Sequence, residues 1–418
     1  MLFRNRLYLG MISGHFTVDL LNGMGAVLLA VLTVPLGLSN AQIGLALTLY
    51  TFAGSLSQPL WGLLSDRLAG RMALLAALGM GWMAAFYAAL ALAPSWGVLL
   101  PLFLLASLGS GLFHPVGTAT AGSAVPEQAG RATAIFFFCG QIGLALGPVL
   151  AGLLLRSVGT VGILPLAALT LLPLGLLLAQ TGEPRNAEPQ SRRAAAFHTN
   201  DVGLPAAVSG LRSPVKKVRF SSVAFWLIAA FIMLVAVRSS IQATYQAFLP
   251  KLFADRGFDP AVYGVIAGLF MGAAAFGNII TGDVADRYGM RAATVWPLLF
   301  SVPVGLLCLL APSLPLILLG SALAGLTVGG QHSVLVVHAQ RLLPAKQGFA
   351  AGLILGFTFA IGAVGTWLVG HYADRYTLLW MMELVTWLGL PCALLALTLP
   401  GRPRPVAALA SEPAPSAD

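Results

Sequence analysis

Apolar residues gather along this 418-residue chain in runs of about 20, separated by short polar breaks. Twelve runs cover roughly residues 7–36, 40–64, 71–93, 96–122, 129–155, 159–181, 221–250, 259–282, 290–311, 314–340, 346–370 and 376–399. An α-helix needs about 20 such residues to cross the hydrocarbon core of a bilayer. The pattern therefore predicts an all-α membrane protein of twelve transmembrane helices. Most breaks are brief: GLSN, DRLAGR, APSW, PEQAG, APSLP and LPAKQG. One is not. Residues 182–219 are rich in Pro, Ala and charge and read as a linker between two six-helix bundles, 1–181 and 220–400. Residues 401–418, ending PAPSAD, read as a disordered tail.

Composition agrees with the pattern. Residues are 58% hydrophobic and only 9% charged, with mean hydropathy +0.87, whereas soluble domains carry about 25% charged residues. The N-terminal run passes His15 and Asp19, continues to Leu36 and lacks an A-x-A site, so it reads as a retained first helix and not a secretory signal. Three scattered cysteines, Cys139, Cys308 and Cys392, form neither a disulfide framework nor a metal motif.

The net charge of +9 could point to nucleic acid, but its distribution points elsewhere. Of 23 Lys and Arg, 18 fall in the termini, the linker and alternate loops, and four (Arg156, Lys251, Arg256, Arg375) fall on the opposite side. Arg238 alone lies inside a run. This asymmetry follows the positive-inside rule and predicts both termini in the cytoplasm of a cell that keeps the protein in its cytoplasmic membrane.

The two halves repeat. GLLSDRLAGR (Gly62–Arg71) recurs as GDVADRYGMR (Gly282–Arg291), and GSGLFHPVGT in the fourth span stands opposite VGGQHSVLVV in the tenth, pairing His114 with His332. Parallel repeats of this kind are a transporter architecture. These residues resemble the major facilitator superfamily over nearly the whole chain. Its G-x-x-x-D-R-x-G-R signature is matched at Gly62, Asp66, Arg67, Gly70 and Arg71, with one extra residue before Gly70. It is matched again at Gly282, Asp286, Arg287, Gly289 and Arg291. A carboxylate among guanidinium groups at helix ends can act as a charge latch that closes in one conformation and opens in another. A solvated turn obeying the positive-inside rule would account for one copy, but two copies at matched positions favour the latch.

GLALGPVLAG in the fifth span looks like the superfamily's antiporter motif, at Gly143, Gly147, Pro148 and Gly152, with Ala151 replacing a glycine. Finer features resemble the fosmidomycin-resistance family of drug exporters: His15 and Asp19 as H-x-x-x-D, Phe113–Pro115 as F-H-P, Arg238 followed by FLP at 248–250, and AQRLLP at Ala339–Pro344. Some members carry H-P-E-x-x-R; here Val116 and Ala119 replace the charged pair, which argues against carrying over a phosphonate substrate. The resemblance implies a two-bundle fold working as a monomer, with no cofactor, on a small molecule exchanged for protons.

His15, Asp19 and Asn22 fall on one helical face, as do Arg238, Gln242, Tyr245 and Gln246 in the seventh span. In this fold both spans line the central cavity, so the stripes are expected to face each other. Asp19 is then the candidate proton carrier, with His15 beside it and Arg238 as a countercharge; the alternative is a static ion pair that fixes packing. His114, Gln141 and His332 are candidate cavity residues, with histidines satisfied by helix carbonyls as the alternative.

Other function classes fare worse. No Gly-rich loop with a lysine is present to bind ATP, and SLGSG around Ser110 lacks the G-x-S-x-G pattern of an intramembrane hydrolase. A passive channel has no use for repeated gating loops. A proton-coupled exporter is the leading expectation, and a proton- or anion-coupled importer on the same scaffold is the second.

Overall fold

The computed structural model describes residues 2–181, 222–342 and 347–401. The linker 182–219, Lys346 and the tail beyond Gly401 lie outside them. The chain is helical, with no strand among the described residues. Its helices are α1 (Arg6–Leu36), α2 (Asn40–Arg67), α3 (Met72–Leu90), α4 (Trp96–Ala124), α5 (Ala129–Val158), α6 (Ile163–Ala168) and α7 (Leu171–Leu178) in the first half. The second half has α8 (Ser222–Asp255), α9 (Pro260–Tyr288), α10 (Met290–Leu310), α11 (Leu314–Gly329), α12 (His332–Leu342), α13 (Gln347–Ala373), α14 (Leu378–Trp387) and α15 (Gly389–Ala396).

Nine helical stretches among the described residues are long and apolar enough to cross a membrane. One of these, Pro126–Leu178, contains both α5 and the α6–α7 pair, divided by a turn at Gly159–Gly162. Three predicted spans are broken. Pro173 and Pro391 fall just after the breaks in the sixth and twelfth, each removing an N–H from the helical ladder. The tenth breaks at the Gly329–Gly330 pair between α11 and α12.

The helix ends at one end of the molecule carry their own stop and start signals. Gly37, at φ 60°, closes α1 in the left-handed conformation. Ser39 and Gln42 then form a capping box that opens α2. Asp259 caps α9 with Pro260 at its first position, and Thr377 caps α14.

At this same end the two halves meet. Pro148 and Gly152 of α5 pack against Gly264 and Pro260 of α9, and Gly44 of α2 packs against Thr366 and Gly370 of α13. Glycine lets these backbones touch. The polar contacts between halves are few and lie here too. Thr48 Oγ1 donates to Ala363 O at 2.7 Å, Arg156 pairs with Asp259 at 3.0 Å, and Asp374 accepts from the Asn40 and Ala41 N–H groups at 2.8 and 2.9 Å. Partial burial works against the charge on Asp374, but hydrogen bonds from Ala41, Ser39 and Asn40 hold its carboxyl below the usual range. Toward the other, basic end, α2 exposes Leu56, Leu60 and Leu63, and α9 exposes Phe276, Ile279 and Ile280. No hydrogen bond joins the halves there among the described residues. The molecule is closed at one end and splayed at the other.

Candidate functional site

Polar side chains inside the first half converge on Asp19. The α1 spacing places His15 one turn before it, with Nε2 3.2 Å from Asp19 Oδ2. From α4, His114 Nε2 approaches Asp19 Oδ1, also at 3.2 Å. Asn22 donates from Nδ2 to Asp19 Oδ1 at 2.9 Å and to Ser110 Oγ at 3.0 Å. Tyr50 of α2 donates to Asn22 Oδ1 at 2.6 Å, and Tyr87 of α3 donates to Tyr50 at 3.2 Å. A hydrogen-bonded chain thus runs from Tyr87 through Tyr50 and Asn22 to the carboxylate. The His15 side chain is 3% exposed, Asp19 12% and His114 24%, so the group is reached from the His114 side.

Both histidines are oriented from behind. His15 Nδ1 lies 2.8 Å from Phe136 O on α5, and His114 Nδ1 lies 2.8 Å from Ser110 O. The His15 ring also stacks on Phe136 with centroids 4.0 Å apart. The helices come close enough for this because of a glycine face on α5. A Cβ on Gly140 would stand 2.5 Å from His15 Cε1 and 2.7 Å from Asp19 Oδ2. One on Gly143 would strike Phe16 O, and one on Gly147 would strike Leu20 O. The antiporter-like run therefore acts here as a seam. Gly143 and Gly147 seat α5 on α1, while Pro148 and Gly152 seat it on α9 of the other half.

Arg238 does not meet Asp19, and the expected countercharge is corrected accordingly. Its side chain is fully buried within the second half. Nη2 donates to Val328 O and Gly329 O, each at 2.9 Å, and Nε donates to Gln331 Oε1 at 3.3 Å. The helix break between α11 and α12 supplies those carbonyls. An arginine at mid-membrane costs about 2.5–3.5 kcal/mol on the insertion scale; hydrogen bonds to a charged group, at about 1.5–3 kcal/mol each, offset it without a carboxylate.

The facing stripe on α8 is also only partly realised. Gln242 and Gln246 are half-buried, but Tyr245 is enclosed in its own half, its hydroxyl 2.6 Å from Thr386 Oγ1 and its ring stacked on Phe270. Tyr245 is a packing residue because the helix turns that face into the bundle. His332 sits half-buried with its ring 6.2 Å from that of Phe359, away from the Asp19 group. Gln141 is exposed; its neighbour Gly140 is the one that touches the cluster.

The repeated loops lie at the splayed end. Asp66, Arg67 and Arg71 are exposed, as are Asp286, Arg287 and Arg291, while Gly62 and Gly282 are half-buried. Neither latch aspartate is ion-paired among the described residues. Arg287 pairs instead with Asp283 at 3.1 Å, and Arg291 Nε donates to Leu399 O at 2.9 Å. Asp286, Ser333, Arg341 and Pro400 border a cavity of roughly 220 Å³.

Sequence reasoning did not foresee the roles of Tyr50, Tyr87 and Gly140. The two tyrosines carry no local signal, being lone aromatics in apolar helices. Gly140 could have been found, since it continues the face of Gly143 and Gly147 by helical spacing.

Comparison with known proteins places these features in context. The model of the Major Facilitator Superfamily matches residues 11–250 and again 235–416. The Fosmidomycin resistance protein of Escherichia coli is 29% identical over 374 residues, covering 88% of this chain and 86% of that protein. The Multidrug efflux pump Tap of Mycolicibacterium fortuitum is 26% identical over 313 residues, covering 72% and 69%. Among solved structures, a bacterial homolog of the human lysosomal transporter Spinster, in an inward-facing and occupied conformation, superposes with a TM-score of 0.76. It is 14% identical and covers 95% of this chain and 96% of that one.

Proposed function

The chain belongs to the major facilitator superfamily, whose members are membrane transporters and not enzymes, and on that premise we propose that it is a proton-coupled antiporter exporting small drugs or metabolites. The observation that carries this reading is the His15–Asp19–His114 group. Three titratable side chains stand in mutual contact inside the membrane-spanning part of one half, with no arginine or lysine among their partners. A fixed structural charge is served by fixed partners, as Arg238 is served by carbonyls. A group whose contacts can each take up or lose a proton is suited to coupling. The drug-export aspect is supported by what the E. coli and M. fortuitum relatives are named for.

In this reading the basic end is cytoplasmic and the protein resides in the cell membrane as a monomer with both termini inside. The splayed conformation is then open to the cytoplasm. Gating loops 62–71 and 282–291 pair when that end closes, while the Arg156–Asp259 and Asp374 contacts part. The two halves rock against each other around a midplane site.

The test is flux in proteoliposomes under an imposed pH gradient, with a panel of phosphonates, sugars and cationic drugs. Substrate should accumulate in inside-out vesicles acidified within, and Asp19→Asn should remove gradient-driven flux while leaving substrate binding. Accumulation in right-side-out vesicles would assign import instead. Undiminished uphill flux in Asp19→Asn would remove Asp19 from the coupling.

A further inference from the structure

We infer that His15, Asp19 and His114 form one site that holds two protons in this conformation, each in an Nε2–H···O bond to a different oxygen of the same carboxylate. The inference deepens the transport reading above. It moves His114 from the substrate cavity into the proton site.

The partner atoms of each histidine limit where its hydrogens can sit. A backbone carbonyl oxygen only accepts, so the 2.8 Å contacts of His15 Nδ1 with Phe136 O and of His114 Nδ1 with Ser110 O place a hydrogen on both Nδ1 atoms; the Ser110 hydroxyl, 3.3 Å from His114 Nδ1, is the farther contact. A neutral imidazole protonated at Nδ1 presents a bare lone pair at Nε2. Both Nε2 atoms point at Asp19, one to each oxygen, at 3.2 Å. With neutral rings and an ionised carboxylate, two acceptor pairs would face each other inside the membrane. A proton on each Nε2 turns both contacts into N–H···O bonds of ordinary length.

The surroundings accept the resulting charge. Two imidazoliums and one carboxylate leave the site at +1. The His15 ring lies against Phe136, with Phe113 and Phe137 at 6.2 and 6.0 Å, a set of aromatic faces and edges suited to a flat cation. The ionisable groups facing the site from neighbouring helices are Tyr50 of α2 and, behind it, Tyr87 of α3. From α5 the contacts are Phe136, Phe137 and Gly140, none of which ionises. No residue of the second half bonds to the site among the described residues. Losing one proton brings the site to neutrality, and losing the second leaves an unpaired carboxylate. The site can therefore carry at least one proton per cycle and has room for two.

The test reads protonation directly and needs no transport substrate. Full-length protein with 15N-labelled histidine in lipid nanodiscs is titrated by NMR. The His15 and His114 rings have centroids 5.1 Å apart and identify each other through space, so assignment does not depend on any variant. Both rings should carry a hydrogen on Nδ1 and on Nε2 when the site is fully protonated, and the hydrogen each ring gives up should be the one on Nε2. Asp19→Asn should change the shifts of both Nε2–H signals, since both hydrogens lose the carboxylate that accepts them. A bare Nδ1 on either ring, or a doubly protonated state on one ring only throughout the titration, would overturn the two-proton site. That result would leave proton coupling through Asp19 standing. Undiminished uphill flux in Asp19→Asn, in contrast, would remove the coupling and leave the tautomers as found.

Discussion

Asp19 on α1 and Arg238 on α8 lie in the first and seventh spans, which correspond in the two halves of the repeat. Asp19 is surrounded by side chains that can change charge or swing, and it keeps a path to the surface along His114. Arg238 is surrounded by backbone carbonyls and one amide, and it is sealed. Duplication supplies matching places; it does not supply matching chemistry. A carboxylate held by histidines has partners that can gain or lose a proton. A guanidinium cannot be deprotonated under ordinary conditions, so burying it yields an anchor. The contrast explains why the helix break between α11 and α12 belongs to Arg238: the break frees carbonyls for it.

Substitutions test the division between a switchable carboxylate and a fixed guanidinium. The largest effect is expected at Asp19. Asp19→Asn should remove pH-gradient-driven flux and leave expression close to normal, which flux and solubilised yield together would check. Arg238→Met should do the reverse. Orphaning Val328 O, Gly329 O and Gln331, at about 1–3 kcal/mol for each buried acceptor left unpaired, should cost on the order of 3 kcal/mol of stability. Chemical unfolding in bicelles would measure it, and flux per folded molecule should persist. If Arg238→Met also abolished coupling at full stability, the division between switch and anchor would fail.

A smaller effect is expected from Gly140→Ala, whose added methyl must displace His15 or Asp19. Overpacking of this kind costs about 1–3 kcal/mol. Because the displaced atoms belong to the cluster, coupled flux should fall more than counterflow without a gradient.

The smallest effect concerns the closed end. Asp374→Asn should weaken the contact with the start of α2 by about 0.3–1 kcal/mol, the usual range for a charge at a helix terminus. Because the folded state holds this carboxyl below its ordinary value, its contribution is complete above about pH 4. It is lost as pH falls through the lowered value. Inter-half distance measurements by spin labels should show the closed end loosening in the variant and in acid.

Much of the fold was legible in the chain because the bilayer imposes a simple rule. Segments such as 7–36 and 71–93 must satisfy their backbone internally, and helices about 20 residues long do so. The caps at Ser39, Asp259 and Thr377 mark helix starts by chemistry local to a few residues. The breaks in the sixth and twelfth spans have prolines beside them; the break at Gly329 was harder to see, since glycine pairs are common in membrane helices. At the site, helical spacing alone brought His15, Asp19 and Asn22 to one face. The same spacing grouped Arg238 with Tyr245 but could not say which way that face turned.

The alternation of apolar runs and basic loops, the duplicated D-R loops and the face shared by His15 and Asp19 were determined by the sequence itself, since each depends on residues within one helix or loop. Which partners meet across helices was decided by tertiary packing. The glycine face of α5 sets how closely it rides on α1, and the break after α11 turns carbonyls toward α8. His114 comes to Asp19 and Arg238 does not, because contacts between helices depend on how whole helices rotate and approach, quantities no single helix encodes.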